Sequence, residues 1–324
     1  MKFKNKKVIS LTIKVSILLL AFAFIYKKLS NNENLANFEK IIKGLSSAQV
    51  WTVLSVVLLL MFLNWVLEAF KWKFLVKTIE EISLFKAIES VFCGLTIAVF
   101  TPNRIGEYGG RVFFLAPRRR IFGVIAMTVG AMGQMIITNV LGALAILWFV
   151  GTFTSVSGFL YFLLILLTVL FCAFFIVFFF NINRISFLFR RISFLKRFGK
   201  FLKLLNRYRK KELWTVFIFC FARFAVFTAQ YCLVINLLIP DLQLFQMSMM
   251  VFILFFVQSA LPSLDLLDVG VRSMTATYFF SFITQQEVAV MAATACIWFV
   301  NLIIPAILGS VFVFKLNFFG TDNN

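Results

Sequence analysis

Pro102-Asn103-Arg104-Ile105-Gly106-Glu107-Tyr108-Gly109-Gly110-Arg111 is the stretch on which the reading of this chain turns. Residues 87–100 before it are apolar, yet a hydrocarbon core of ~30 Å takes about 20 helical residues to cross, so this run is too short to span. After the stretch come a short run, Val112 to Ala116, and then Arg118-Arg119-Arg120; Lys71, Lys73, Lys77 and Lys86 lie on the other side. Basic residues at both ends of 87–117 predict a hairpin that enters and leaves on one side of a membrane. Pro102 ends the first limb. Gly106, Gly109 and Gly110 are read as part of the helix break, because glycine permits both positive φ and close backbone approach.

A second segment repeats the plan. The apolar run 245–261 ends at Pro262, followed by Ser263-Leu264-Asp265-Leu266-Leu267-Asp268-Val269-Gly270-Val271-Arg272. Both segments carry an acid, one residue, a glycine, one residue and an arginine: Glu107 to Arg111 and Asp268 to Arg272. An ionised group in hydrocarbon is costly, so paired charges there point to a polar site. Matching broken helices in two halves of a membrane protein point to a translocation site.

The rest of the chain supports a membrane reading. Of its 324 residues 62% are hydrophobic and 45 are Phe, which leaves no polar stretch long enough for a separate soluble enzyme domain. The net charge of +19 comes in blocks between apolar runs, the pattern of topology control and anionic headgroup contact rather than of a nucleic-acid surface. There is no histidine, which removes the commonest general base and metal ligand. The five cysteines lie in apolar runs without a Cys-x-x-Cys pair, so no metal or other cofactor is expected.

Reading outward, spans are expected at 8–26, 50–70, 121–150, 158–180, 213–239 and 288–314. The first is read as retained, since Lys27 and Lys28, not a small-residue cleavage site, follow it. The dense basic block 183–211 has apolar residues at helical spacing and reads as an amphipathic helix on the cytoplasmic leaflet. The loops 151–157, 240–244 and 284–287 contain no Lys or Arg. The positive-inside rule therefore puts both termini in the cytoplasm, the first hairpin entering from inside and the second from outside. The expected fold is all-α: one integral membrane domain over 1–324, a polytopic helix bundle with two oppositely oriented re-entrant hairpins forming an inverted repeat. Its halves are about 8–150 and 158–315.

The expected substrate-binding residues are Arg104, Glu107, Arg111, Arg223, Asp265, Asp268 and Arg272. Arginines suit phosphate oxygens, which they bind in bidentate fashion. Glu107 and Asp268, four residues before Arg111 and Arg272, are placed for local ion pairs on a helix. Arg223 falls too deep in its span to snorkel out; it either pairs with Asp265, Asp268 or Glu89 or contacts phosphate. Glu68 is expected to reach the cytoplasmic interface. The amides Gln134, Asn139, Gln230, Gln258 and Asn301 are expected to hydrogen-bond between helices.

Thr101-Pro102-Asn103-Arg104-Ile105-Gly106-Glu107-Tyr108 with Arg111 resembles the proline–Gly-Arg–Gly-Glu–Arg motif of the lysylphosphatidylglycerol synthase transmembrane-region family, with Asn103 in place of the usual glycine. Pro262 through Asp268, Gly270 and Arg272 is similar to that family's second proline motif, with Leu264 to Leu267 replacing its Gly-rich part and Asp268 its glutamate. The resemblance spans about residues 8–315. It implies a multi-pass bundle with re-entrant hairpins that moves or modifies lipids, including lipid-linked glycans. No soluble aminoacyl-transferase domain accompanies it here, so the chain is not expected to make lysyl-lipid itself.

Three functions remain open. The first is a flippase-like protein of the cytoplasmic membrane, not an enzyme, translocating an anionic phospholipid or a polyprenyl-phosphate-linked lipid. The second is an intramembrane transferase with Glu107 or Asp268 as general base. The third is a scaffold recruiting a cytoplasmic partner through 183–211. The candidate partners are an anionic lipid or lipid-linked substrate, a second copy of the chain, or a cytoplasmic enzyme.

Overall fold

The computed structural model describes residues 32–99, 101, 104–182, 208–261 and 268–313. The expected span at 8–26, nearly all of the amphipathic block, and Pro102, Pro262 and Asp265 lie outside the described residues. What is described is helical, with no strand among the described residues, so the all-α membrane bundle read from the sequence is the architecture found.

A short helix, α1 (Asn32–Gly44), leads to α2 (Ser47–Val76). Ser46 and Gln49 start α2 with a capping box: the Ser46 hydroxyl accepts from the Gln49 N–H, and the Gln49 side chain accepts from the Ser46 N–H. Next come α3 (Leu84–Val99), α4 (Ile105–Val112), α5 (Arg120–Phe153), entered through a 3₁₀ turn at Pro117–Arg119, and α6 (Gly158–Phe180). The second half holds α7 (Lys210–Leu238), α8 (Leu244–Ala260), α9 (Asp268–Phe280), α10 (Glu287–Trp298) and α11 (Ile304–Val313). A π turn, Phe299–Ile303, joins the last two, with the Ile304 N–H reaching back to the Phe299 carbonyl. It ends two residues before Pro305, which has no N–H to continue the α ladder.

Among the described residues, five helical segments are long and apolar enough to cross a membrane: Ser47–Val76, Pro117–Phe153, Gly158–Phe180, Lys210–Leu238 and Glu287–Val313. The expected spans match these, apart from the 8–26 run. One boundary differs where it matters. The span expected to end at Phe70 continues to Val76, because Lys71-Trp72-Lys73-Phe74-Leu75-Val76 contains neither Gly nor Pro to stop a helix. Lys71, just beyond the expected end of the span, is therefore a buried helical residue.

The helices flanking the two motifs are short. At 1.5 Å per residue, the 16 residues of α3 reach about 24 Å and the 17 of α8 about 26 Å. α4, with 8 residues, packs on α3. The approach is close enough that a Cβ on Gly110 would lie 2.5 Å from the Gly94 Cα, and one on Gly106 would lie 2.5 Å from the Ile97 carbonyl oxygen. α11 packs on the opposite part of α3: the Thr96 hydroxyl donates to the Ala306 carbonyl at 2.7 Å, and Gly309 lies against the Phe92 carbonyl.

α7 is the hub, packing on α2, α5, α8 and α10. Glycines on α5 admit its neighbours: Gly130 faces Leu75 and Lys71 of α2, Gly133 faces Cys220 of α7, and Gly142 faces Phe256 of α8. Small residues at such contacts are how helices approach where lipid removes the usual hydrophobic drive. α6 lies at the rim, with Phe159, Phe162, Leu167 and Phe174 all exposed, as a lipid-facing helix requires.

Candidate functional site

The first motif holds a backbone strain point near its start. Arg104, the N-cap of α4, has φ 56° and ψ 26°, the left-handed conformation that β-carbon-bearing residues seldom adopt. The glycines read as the break are not at it. Gly106, Gly109 and Gly110 all lie inside α4, none with positive φ, and Gly270 lies inside α9. Gly106 and Gly110 let α4 press against α3, while a Cβ on Gly109 would meet nothing closer than the Phe113 ring at 3.6 Å. The sterically difficult turn thus falls on an arginine, and strained residues of this kind concentrate at functional sites.

α4 turns Glu107 and Arg111 toward α2. Both ion pairs expected from the four-residue spacing form: Arg111 Nη2 donates to Glu107, and Arg272 Nε donates to Asp268 Oδ2 at 2.5 Å. Arg104 Nε adds a bond to Glu107 Oε2 at 2.9 Å. The first pair then extends into a network. Arg111 Nη1 donates to Glu68 Oε1 at 2.5 Å, Lys71 Nζ lies 2.7 Å from Glu68 Oε2, and Arg223 Nη1 of α7 donates to the same oxygen. Arg223 Nε donates to Asn64 Oδ1 at 3.1 Å, and its guanidinium carbon lies 5.3 Å from the Trp65 ring centre.

Glu68 is the residue that sequence reasoning misplaced. Expected at the interface, it is buried among cations from α2, α4 and α7. Of the acids expected to neutralise Arg223, Asp265 lies outside the described residues; among the described residues its carboxylate partner is Glu68, not Asp268 or Glu89. A signal was present. Asn64, Glu68, Lys71 and Leu75 recur at spacings of four, three and four, one face of a helix continuing past Phe70.

Two adjoining cavities open on this network. One, of about 420 Å³, is lined by Glu68, Lys71, Glu107 and Arg111; the other, of about 370 Å³, is lined by Arg272, Tyr231, Gln258 and Asn301. Arg104, Arg223, Trp65, Gln134, Thr138 and Ser259 line both, so the two share a wall. Both volumes fall in the ~300–1,000 Å³ range of small-molecule sites. The structure therefore brings Arg104, Glu107, Arg111, Arg223 and Arg272 to one region, with Asp268 held against Arg272.

Among the described residues, five cations (Lys71, Arg104, Arg111, Arg223 and Arg272) meet three carboxylates (Glu68, Glu107 and Asp268) there. Several buried polar atoms lack a partner among the described residues: Arg111 Nε, Gln134 Oε1, Gln258 Nε2 and Asn301 Oδ1. Buried polar atoms are rarely left unpaired, so each calls for water or a ligand group. Two of the five amides do bridge helices as expected, Gln230 to the Val57 carbonyl at 3.0 Å and Asn139 from the Ser259 hydroxyl at 3.4 Å. Gln134, Gln258 and Asn301 instead line the cavities. Among the described residues, no three His, Cys, Asp or Glu side chains converge to hold a metal ion. Chemically, the region offers an anion several guanidinium donors inside an otherwise apolar bundle.

No curated protein and no solved structure matches the chain. The profile of the lysylphosphatidylglycerol synthase TM region matches residues 9–309, nearly the full length and both motifs. The chain belongs to that family, membrane proteins tied to lipid metabolism or transport.

Proposed function

We propose that the chain is a flippase-like protein that carries the phosphate-bearing headgroup of an anionic lipid, a phospholipid or a polyprenyl-phosphate-linked lipid, through the paired cavities. In this reading the α3–α4 and α8–α9 pairs are re-entrant hairpins of an inverted repeat, and they meet near the bilayer centre from opposite leaflets.

The observation that carries the reading is that several guanidinium groups line cavity walls that also hold amide atoms without a partner among the described residues. A buried cation is expensive, and in a membrane it is kept where a substrate passes. The headgroup's phosphate oxygens accept from Arg104, Arg223 and Arg272, which share the cavity wall, while the acyl chains stay in hydrocarbon. Guanidinium groups grip phosphate through paired N–H donors, so they hold its orientation as well as its charge. Glu107 and Asp268 fix the arginines on their own helices. Exposed apolar faces such as that of α6 keep the bundle in lipid while the polar path stays internal.

The test is transbilayer movement of fluorescent anionic phospholipid and of a polyprenyl-phosphate lipid in liposomes holding the purified protein. Wild type should move at least one of them, and Arg272→Ala should slow that movement roughly tenfold or more. Equal rates for wild type and Arg272→Ala across both lipids contradict the reading. Lipid recovered covalently modified would favour a transferase instead.

A further inference from the structure

Glu68 lies where an anionic ligand of this site would be expected to lie. Its two carboxylate oxygens collect Lys71 Nζ, Arg111 Nη1 and Arg223 Nη1, donors from α2, α4 and α7. Around it are donors with nothing to bind: Arg111 Nε, Asn64 Nδ2 and Trp65 Nε1 lack partners among the described residues. The cradle therefore offers more N–H groups than one carboxylate can take. A phosphate has more acceptor oxygens than a carboxylate and makes the same charge-assisted bonds. Glu68 and all three of its cations line the 420 Å³ cavity, and Arg223 also lines the adjoining one, so a headgroup in either space reaches the cradle.

We infer that Glu68 is a built-in surrogate for the ligand's phosphate. Its carboxylate occupies the Lys71–Arg111–Arg223 cradle in the empty protein and yields contacts to the phosphate when a ligand binds. The inference rests on the reading that the cavities take a phosphate-bearing headgroup, and it adds the control of affinity. With the cradle empty of ligand, Glu68 prevents buried cations from standing uncompensated. With ligand present, the same carboxylate competes for the arginines and keeps the complex loose enough to release. A transported species must be bound well enough to enter and weakly enough to leave.

Glu68 is thus a positioning residue whose charge lowers affinity. A purely structural Glu68 would do the opposite, since its loss would loosen the cradle and weaken every ligand. The test measures equilibrium binding of inorganic phosphate and of dihexanoyl phosphatidic acid to the purified full chain in micelles, for wild type, Glu68→Gln, Glu68→Asp and Arg272→Ala. Glu68→Gln keeps the side-chain shape and removes the charge, so the phosphate probes should bind about tenfold more tightly than to wild type. Glu68→Asp keeps the charge but cannot reach all three cations, and should tighten binding by a smaller factor. It decides the matter if Glu68→Gln does not fold.

Glu68→Gln and Glu68→Asp binding no more tightly than wild type, with Arg272→Ala weaker, overturns the surrogate role and leaves the site reading intact. No binding of either probe to any variant removes both. Tightening of equal size with equal affinity for both probes upholds the surrogate and makes the ligand a free phosphate, against the lipid reading. Preference for the lipid probe, together with the tightening, supports both.

Discussion

Arg111 and Arg272 each bind an acid four residues earlier on a short helix, but their settings differ. Arg111 is 3% exposed and is joined through Glu68 to α2 and α7, whereas the Arg272 side chain keeps 26% exposure on a cavity wall. The same local device is used for two purposes. In the first motif it is built into a network that ties α2, α4 and α7 together. In the second it holds one guanidinium in place while leaving part of it accessible. A pattern repeated in sequence is thus no warrant for a role repeated in structure.

The largest expected effect that separates the two motifs is on stability. Arg111→Ala leaves Glu68 and Glu107 buried with fewer cations, and losing one partner of a buried pair costs about 3–5 kcal/mol. Arg272→Ala should cost about 1–2 kcal/mol, because the Arg272 side chain is partly exposed and Asp268 lies in the first turn of α9, where a negative charge is favoured. Thermal unfolding of both variants in detergent measures this; equal losses would erase the distinction.

A smaller effect separates neighbouring glycines of the first motif. Gly110→Ala forces a methyl group to within 2.5 Å of the Gly94 Cα and should cost about 1–3 kcal/mol, while Gly109→Ala, with only the Phe113 ring at 3.6 Å, should stay within about 0.5 kcal/mol. The same unfolding assay reads both. If Gly109→Ala is the more damaging, the α3–α4 contact is not as described. The smallest expected effect is the strain itself. Arg104→Gly and Arg104→Ala lose the same side-chain bonds, but only glycine relieves a left-handed backbone that costs roughly 1–2 kcal/mol, so the glycine variant should be about 1 kcal/mol more stable than the alanine variant. A lower melting temperature for Arg104→Gly than for Arg104→Ala would contradict the strain.

Much of the fold was legible because apolar run length alone separates a long helix from a short one. α6 matches its expected bounds, and the short α3 and α8 follow from runs cut off at Pro102 and Pro262. The local pairs at Glu107 and Asp268 were legible from spacing. Glu68 was not, because an acid followed by Lys71 and Lys73 at the end of an apolar run looks like an interface. Only the continuation of α2 to Val76 carries Glu68 and Lys71 into the bundle. Cavity-lining amides such as Gln134, Gln258 and Asn301 were equally hidden, since composition cannot tell an amide facing another helix from one facing a cavity. The glycines were read as part of the break for positive φ and for close approach alike, and only backbone geometry reveals that the left-handed residue is Arg104 while Gly106 and Gly110 serve the close approach.

The most direct measurement is the lipid that leaves the membrane with the protein. Mass spectrometry of lipids bound to purified wild type and to Arg272→Ala should find a phosphate-bearing anionic lipid enriched with wild type and depleted with the variant. The same lipids in the same amounts with both proteins would contradict a cavity built to hold an anionic headgroup.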